Sequence, residues 1–421
     1  MVHSKSKSIT KQALFFHGIT NEPLVVLVGL TAILLVKEFQ ATTWQISFYT
    51  ALRPSMALFS FYISSLMMGR KDQLKSQLLL TSFLCRVPFL FFPWISSAWQ
   101  VIGCIALYLM ISISGQSSWI EILKLNLRDK ERSRLFSLSS VCAYILGVIL
   151  AIFFGNLLKH EEGSWKMLFP CSALIGMSSL IWQARIKIDS QVPEASLMSR
   201  YGSHHENLQP FFSLKRPWKQ AFQLLEKRDD FRRFQIGFAG CGAAVMLIYA
   251  VMPHYLVNHL EISYKDIAIS IALFKAIGYS LTSSWWVRKM HKWSIYKASS
   301  WIFLLVACFP LLLILSTFSK IFIYLAFTLY GIGLAGNHLI WHLSAPFFSQ
   351  NENSAPYSAV NVLMVGVRGL IAPALAGLLS HIVGISSVLW LALILCLTAS
   401  IYMYKLDNRY PKRSFIQDDK Y

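Results

Sequence analysis

The sequence has little charge. Asp, Glu, Lys and Arg make up 14% of its 421 residues, against roughly 25% in soluble globular chains. Acidic residues are the scarcer sign, 20 against 39 Lys and Arg. With the first apolar span read as 21–37, no Asp or Glu falls in the middle of a membrane-length segment. Glu38 and Glu121 stand at span ends, and Asp266 starts one. That absence argues against a buried carboxylate as a proton or sodium site. Cysteine builds no framework either. The seven (Cys85, Cys104, Cys142, Cys171, Cys241, Cys308 and Cys396) lie in apolar stretches without CxxC spacing, so they read as small hydrophobes and not as disulfides or metal ligands. No phosphate-binding glycine loop or nucleophile–base arrangement stands out, so no enzyme is expected and no cofactor is implied. No small-residue cleavage site follows the first apolar run, and MVHSKSKSITKQ reads as a basic tail before an uncleaved span.

What is present is apolar and aromatic. Hydrophobic residues are 55% of the chain, with 29 Phe, 17 Tyr and 13 Trp, and the mean hydropathy is +0.50. This composition predicts an all-α membrane protein. Twelve transmembrane helices are expected, at about 21–37, 46–68, 77–95, 99–120, 135–157, 165–184, 234–256, 266–287, 294–316, 320–342, 358–380 and 384–404, each close to the ~20 residues a bilayer requires. The division is an N-terminal six-helix bundle over 1–184, a cytoplasmic linker over 185–233, a C-terminal six-helix bundle over 234–404 and a cytoplasmic tail over 405–421. Within the linker, Trp218–Phe231 suits a short amphipathic helix on the membrane surface.

The net charge of +19 does not point to nucleic acid, because the basic residues fall in short clusters between apolar stretches. With both termini on one side, that side holds 30 of the 39 Lys and Arg. The other holds Lys37, Lys159, Lys166, Lys265 and Lys320. Such a bias predicts cytoplasmic termini. The inner membrane of a bacterium is the expected location.

Four basic residues remain inside apolar segments: Arg53, Arg86, Lys275 and Arg368. Charge in hydrocarbon is costly and is usually kept for function. Arg53 precedes Pro54, a helix-bending residue. Arg368 lies near mid-membrane between Gly366 and Gly369, and Lys275 near the middle of its span. Arg86, before Pro88, reads as a headgroup or inter-helix contact. Tyr108, Ser112 and Gln116 share a helical face. Tyr249 and Asn337 are further polar candidates, and His254, His338 and His342 are candidates for handling protons. His338 and His342 at i, i+4 lack a third ligand, so no metal site is expected.

Gly69-Arg70-Lys71 closes the loop after the second span, and Arg288-Lys289 occupies the analogous loop of the second half. A charged run, Arg128 to Arg134, precedes the fifth span, in which Gly147, Ala151 and Gly155 recur every four residues. With the six-plus-six layout, these features resemble the major facilitator superfamily over about 15–405. The aspartate of the family's first loop motif and the Gly-Pro pair common in its fifth helix are both missing. The resemblance implies two bundles that rock about a cavity lined by helices 1, 2, 4 and 5 and by 7, 8, 10 and 11. It also implies gating roles for Gly69, Arg70, Lys71, Arg288, Lys289, Gly147 and Gly155. The expected function is secondary active or facilitative transport of a small organic anion or acidic amphiphile by alternating access. Arg53, Lys275 and Arg368 would neutralise the substrate, while Tyr108, Gln116, Tyr249 and Asn337 would orient it. Membrane lipids and a counter-ion or exchange anion are the other expected partners. The alternatives are a multidrug or lipid transporter and a non-transporting receptor or scaffold.

Overall fold

A computed structural model describes residues 2–67, 74–127, 129–160, 163–187, 215–290, 292–349 and 355–410, with backbone alone over parts of α1, α2, α4, α5, α7 and α12. The described residues are helical apart from short turns. The elements are α1 (Val2–Phe39), α2 (Thr43–Met67), α3 (Leu74–Trp94), α4 (Ala98–Asn126), α5 (Asp129–His160), α6 (Trp165–Ala184), α7 (Lys215–Lys227), α8 (Asp229–His259), α9 (Tyr264–Met290), α10 (Ile295–Leu315), α11 (Ile321–Ser349), α12 (Ala355–Val383) and α13 (Ile385–Arg409). Nine helices among the described residues are long and apolar enough to cross a membrane. The protein is a multi-pass integral membrane protein.

The first helix corrects the sequence reading. MVHSKSKSITKQ is not a tail: the helix runs from Val2, and its membrane-compatible stretch, Lys7–Phe39, is about 50 Å long at 1.5 Å per residue. Glu22 therefore lies mid-helix. Pro23 beside it is tolerated because neighbouring helices shield a freed carbonyl in a membrane bundle.

Local chemistry sets the other boundaries. Ser97 and Gln100 form a reciprocal capping box at the start of α4, and Ser263 and Ser294 cap α9 and α10. In α3 the helix breaks at Cys85–Arg86, ahead of Pro88. The Arg86 amide there bonds back to Phe83 and not to Ser82. The Ser82 carbonyl is instead met by the Arg86 Nη1 group. The helices α8 and α9 each widen into a π turn, over Tyr255–His259 after Pro253 and over Ser270–Phe274 just before Lys275. Such turns often mark functional positions.

Packing divides the chain. The helix α1 lies against α5 and α6, and α4 against α2 and α3; in the second half α10 packs on α13 and α11, α9 on α11, and α8 on α12 and α13. The halves meet where α2 touches α12 and α8, and where α5 touches α9. Small residues make these seams close. Gly369 abuts Pro54, Gly377 abuts Ser47 and Trp44, and Gly155 abuts Ala268 and the Tyr264–Lys265 backbone. Glu38 joins the halves at the same end of the molecule: its Oε2 accepts from Trp165 Nε1 at 3.2 Å and its Oε1 from Tyr264 Oη at 3.3 Å. Lys37 covers the Tyr264 ring at 4.6 Å. On the outer surface, Ile145, Ile149 and Phe153 of α5 form an exposed apolar stripe suited to lipid.

Candidate functional site

Two cavities receive three of the four basic residues found within apolar segments. The larger, about 450 Å³, lies inside the first half among α1, α2, α3 and α4. Arg53 enters it from α2 and Arg86 from the break in α3. Asn21 and His17 come from α1, Thr81 and Ser82 from α3, and Tyr108, Ser112 and Trp119 from α4. No carboxylate lines it among the described residues.

The two arginines are held differently. Arg86 is buried, and its Nη1 serves the Ser82 carbonyl while its Nη2 donates to Asn21 Oδ1 at 3.0 Å. Gly176 of α6 makes room for it, since a Cβ there would collide with the guanidinium. Arg53 is exposed to the cavity and makes no hydrogen bond or ion pair among the described residues. It lies within electrostatic reach of Tyr49, Tyr108 and, across the seam, Tyr249. His17 is fixed by Gln183, whose Nε2 lies 3.0 Å from His17 Nδ1, and its ring sits 5.6 Å from that of Trp119.

The smaller cavity, about 140 Å³, lies between the halves, among α1, α5 and α9. Among the described residues, Glu22 and Lys275 are its only ionisable lining residues; the rest are Val26, Gly29, Leu30, Gly147, Val148, Ala151, Ala268, Ile271, Ala272 and Ala276. Glu22 lies on Gly147, where any Cβ would strike its carboxylate.

The structure thus separates the expected charge cluster. Arg53 and Tyr108 share the large cavity, joined there by Arg86. Lys275 faces the small one. Arg368 lines neither: its Nη1 donates to the Phe238 carbonyl at 2.8 Å, and its guanidinium lies 5.0 Å over the Phe238 ring, against Gly242 of α8. Tyr249 donates to Tyr330 Oη at 2.8 Å. Tyr279 and His338 meet at 3.2 Å, His342 is exposed, and His254 pairs with Asn258 at 3.1 Å. Asn337 is half-buried on α11 and lines neither cavity. Gly147 seats Glu22 and Gly155 seats α9, while Lys289 lies between the Trp285 and Trp293 rings and Arg288 is exposed. The Gln116 side chain and Gly69, Arg70 and Lys71 lie outside the described residues.

Glu22, Asn21 and His17 were not expected as site residues. The expectation that no carboxylate lies mid-span fails at Glu22, because the first helix starts nearly twenty residues earlier than its most apolar stretch. The run ALFFHGIT ahead of Asn21-Glu22-Pro23 carried that signal.

Residues 15–367 match the Major Facilitator Superfamily. The chain belongs to that superfamily. Membership makes it a secondary transporter and not an enzyme. Solved structures of superfamily shape agree in fold. A nucleoside transporter, NupG, superposes with a TM-score of 0.66 at 12% identity, over 96% of this chain and 100% of its own. A peptide transporter, POT, crystallised as a point mutant with sulfate, gives 0.70 at 11%, over 95% of each chain. A bacterial homologue of the human lysosomal transporter Spinster, inward-facing and unoccupied, gives 0.62 at 13%, over 96% and 97%. No curated protein matches the sequence. At these identities the likeness is one of fold.

Proposed function

We propose that this superfamily member carries a small organic anion and that the anion binds in the cavity of the first half, on Arg53. The observation that supports this is a pocket with two guanidinium groups and, among the described residues, no lining carboxylate. A positive charge without a carboxylate partner favours an anion, and arginine offers a carboxylate or phosphate two parallel donors. Its volume of about 450 Å³ falls within the roughly 300–1,000 Å³ of ordinary ligand pockets. Asn21, Tyr108 and Ser112 supply neutral hydrogen-bonding groups, and Val25, Leu109, Ile113 and Trp119 an apolar wall. The cargo is therefore an anion with an apolar or aromatic body.

In this reading the chain forms two six-helix bundles, 1–184 and 234–404, which rock about the seam to alternate access. The basic bias supports cytoplasmic termini, with the linker 185–233 and tail 405–421 on that side, and a bacterial inner membrane as the location.

The test is thermal stabilisation of the purified protein by benzoate, succinate, glucose 6-phosphate and sulfate, with tetraphenylphosphonium as the cationic control. Stabilisation by an organic anion that falls by about tenfold to a hundredfold in apparent affinity in Arg53→Ala is the expected result. Stabilisation by tetraphenylphosphonium alone would overturn the anion reading in favour of a hydrophobic-cation carrier.

A further inference from the structure

The connection from α9 to α10 gathers amines and rings that line neither cavity. It reads RKMHKWSIYK over 288–297, with four Lys and Arg and no Asp or Glu. It lies at the end of the molecule opposite Glu38 and Tyr264, beside the start of α8 and the end of α13. Tyr296 fixes that position: its hydroxyl donates to the Asp230 carbonyl at 3.2 Å and its ring stacks on Tyr410 at 5.4 Å.

Three tryptophans form a chain of rings there. Trp285, near the end of α9, meets Trp293 edge to face at 6.2 Å, and Trp293 stacks on Trp301 of α10 at 6.4 Å. Lys289 lies over both Trp285 and Trp293, at 5.4 and 5.3 Å, and Lys297 lies over Trp293 at 5.5 Å. A ring face positions an ammonium through its quadrupole, and the three N–H donors of each amine remain able to serve an oxygen. Among the described residues, no side chain of Arg288, Lys289, Lys292 or Lys297 makes an ion pair or hydrogen bond. The carboxylates of this end are engaged elsewhere. Asp407 accepts from Ser294, Asp229 from Arg232, Arg233 and Tyr410, and Asp230 from Arg228.

The rings border an apolar surface. Leu281 stands four residues before Trp285, and Leu304 three after Trp301. Each lies one turn deeper along its helix, and both are exposed. We propose that this corner is a binding site for an anionic phospholipid. Lys289 and Lys297 hold the phosphodiester, the tryptophans seat the glycerol region, and the acyl chains run over Leu281 and Leu304. Charge complementarity and depth favour that occupant. Basic residues at the end of a membrane helix attract anionic lipid, and tryptophan concentrates at the headgroup level. A free phosphate would meet the same amines but would leave the rings and leucines uncovered. The site is separate from the Arg53 cavity and does not depend on the identity of the cargo.

Native mass spectrometry of the full-length protein in detergent tests this, with dioleoyl phosphatidylglycerol and dioleoyl phosphatidylcholine titrated separately. The wild type is expected to bind its first phosphatidylglycerol about tenfold more tightly than phosphatidylcholine. The double variant Lys289→Gln/Lys297→Gln is expected to lose that preference and to bind phosphatidylcholine as before. Trp293→Leu keeps every charge and is expected to weaken phosphatidylglycerol binding several-fold. Lys219→Gln/Lys227→Gln removes two exposed lysines from α7 and is expected to keep the preference, as is Arg53→Ala. A wild type without preference overturns the proposal, as does a monodisperse Lys289→Gln/Lys297→Gln protein that retains it. Equal loss in the α7 variant would show diffuse attraction to basic charge in place of a site. Loss in Arg53→Ala would move the lipid to the first-half cavity, and displacement by excess inorganic phosphate would make this a free-anion site; both also overturn the proposal.

Discussion

A guanidinium inside a membrane helix needs acceptors, and Arg86 and Arg368 find theirs in the backbone. Arg86 takes the Ser82 carbonyl that the break before Pro88 leaves without its helical donor, and Asn21 accepts from its Nη2. Arg368 takes the Phe238 carbonyl and the Phe238 ring. Arg53 takes neither, and the proposed division of roles rests on that difference. Arg368→Met is expected to lower stability by about 1–2 kcal/mol, the upper range for a buried inter-helix polar contact in a membrane, and to leave anion stabilisation intact. Arg53→Ala is expected to do the reverse. Thermal unfolding with and without the stabilising anion separates the two. The four cations within apolar segments were legible in the sequence because a charge in an apolar run is conspicuous. Their partners were not, since a backbone carbonyl on another helix leaves no mark in composition.

Among the elements, α9 and α11 approach so closely that backbone meets backbone. A Cβ at Gly278 would collide with the Thr328 carbonyl oxygen, and one at Gly331 with that of Lys275. Neither obstacle is a side chain that can swing away. Gly278→Ala and Gly331→Ala are expected to cut the yield of folded protein severely, whereas Gly103→Ala on α4, with open space around it, gains about 0.5–1 kcal/mol of helix propensity. Size-exclusion yield and thermal unfolding of the three variants check this. Helix positions in the second half could be read closely from hydropathy, because runs such as Ile295–Leu315 are apolar throughout and begin at a capping serine. The start of α1 could not. Its first turns are polar yet helical, and a hydropathy window registers only the stretch beyond Glu22. That one boundary moved a carboxylate from the membrane surface to the seam. Small residues at the spacing of Gly147, Ala151 and Gly155 suit close helix contact, but the spacing does not name the partners, Glu22 for Gly147 and α9 for Gly155.

At the scale of the molecule, the described contacts between halves gather toward the end that carries Glu38 and Tyr264. Glu38 bonds to both halves there, through Trp165 and through Tyr264, and Lys37 caps the same tyrosine. Glu38→Gln keeps the shape and removes the charge that strengthens both bonds. The variant is expected to favour separation of this end, seen by pulsed electron resonance as a longer distance between spin labels at Ser96→Cys and Phe318→Cys, exposed positions in connections of opposite halves; an unchanged distribution would show that the glycine seams alone hold the end shut. Site-resolved alkylation shows whether an anion sits in the cavity of the first half. Ser112→Cys places a thiol in that cavity and Asn337→Cys places one on α11, outside it. Maleimide labelling of each is read by mass spectrometry, without and with the anion that stabilises the protein most. The anion is expected to slow labelling at position 112 and not at 337, and Arg53→Ala to abolish the protection. Protection at 337 with none at 112 would contradict it and place the cargo elsewhere in the molecule.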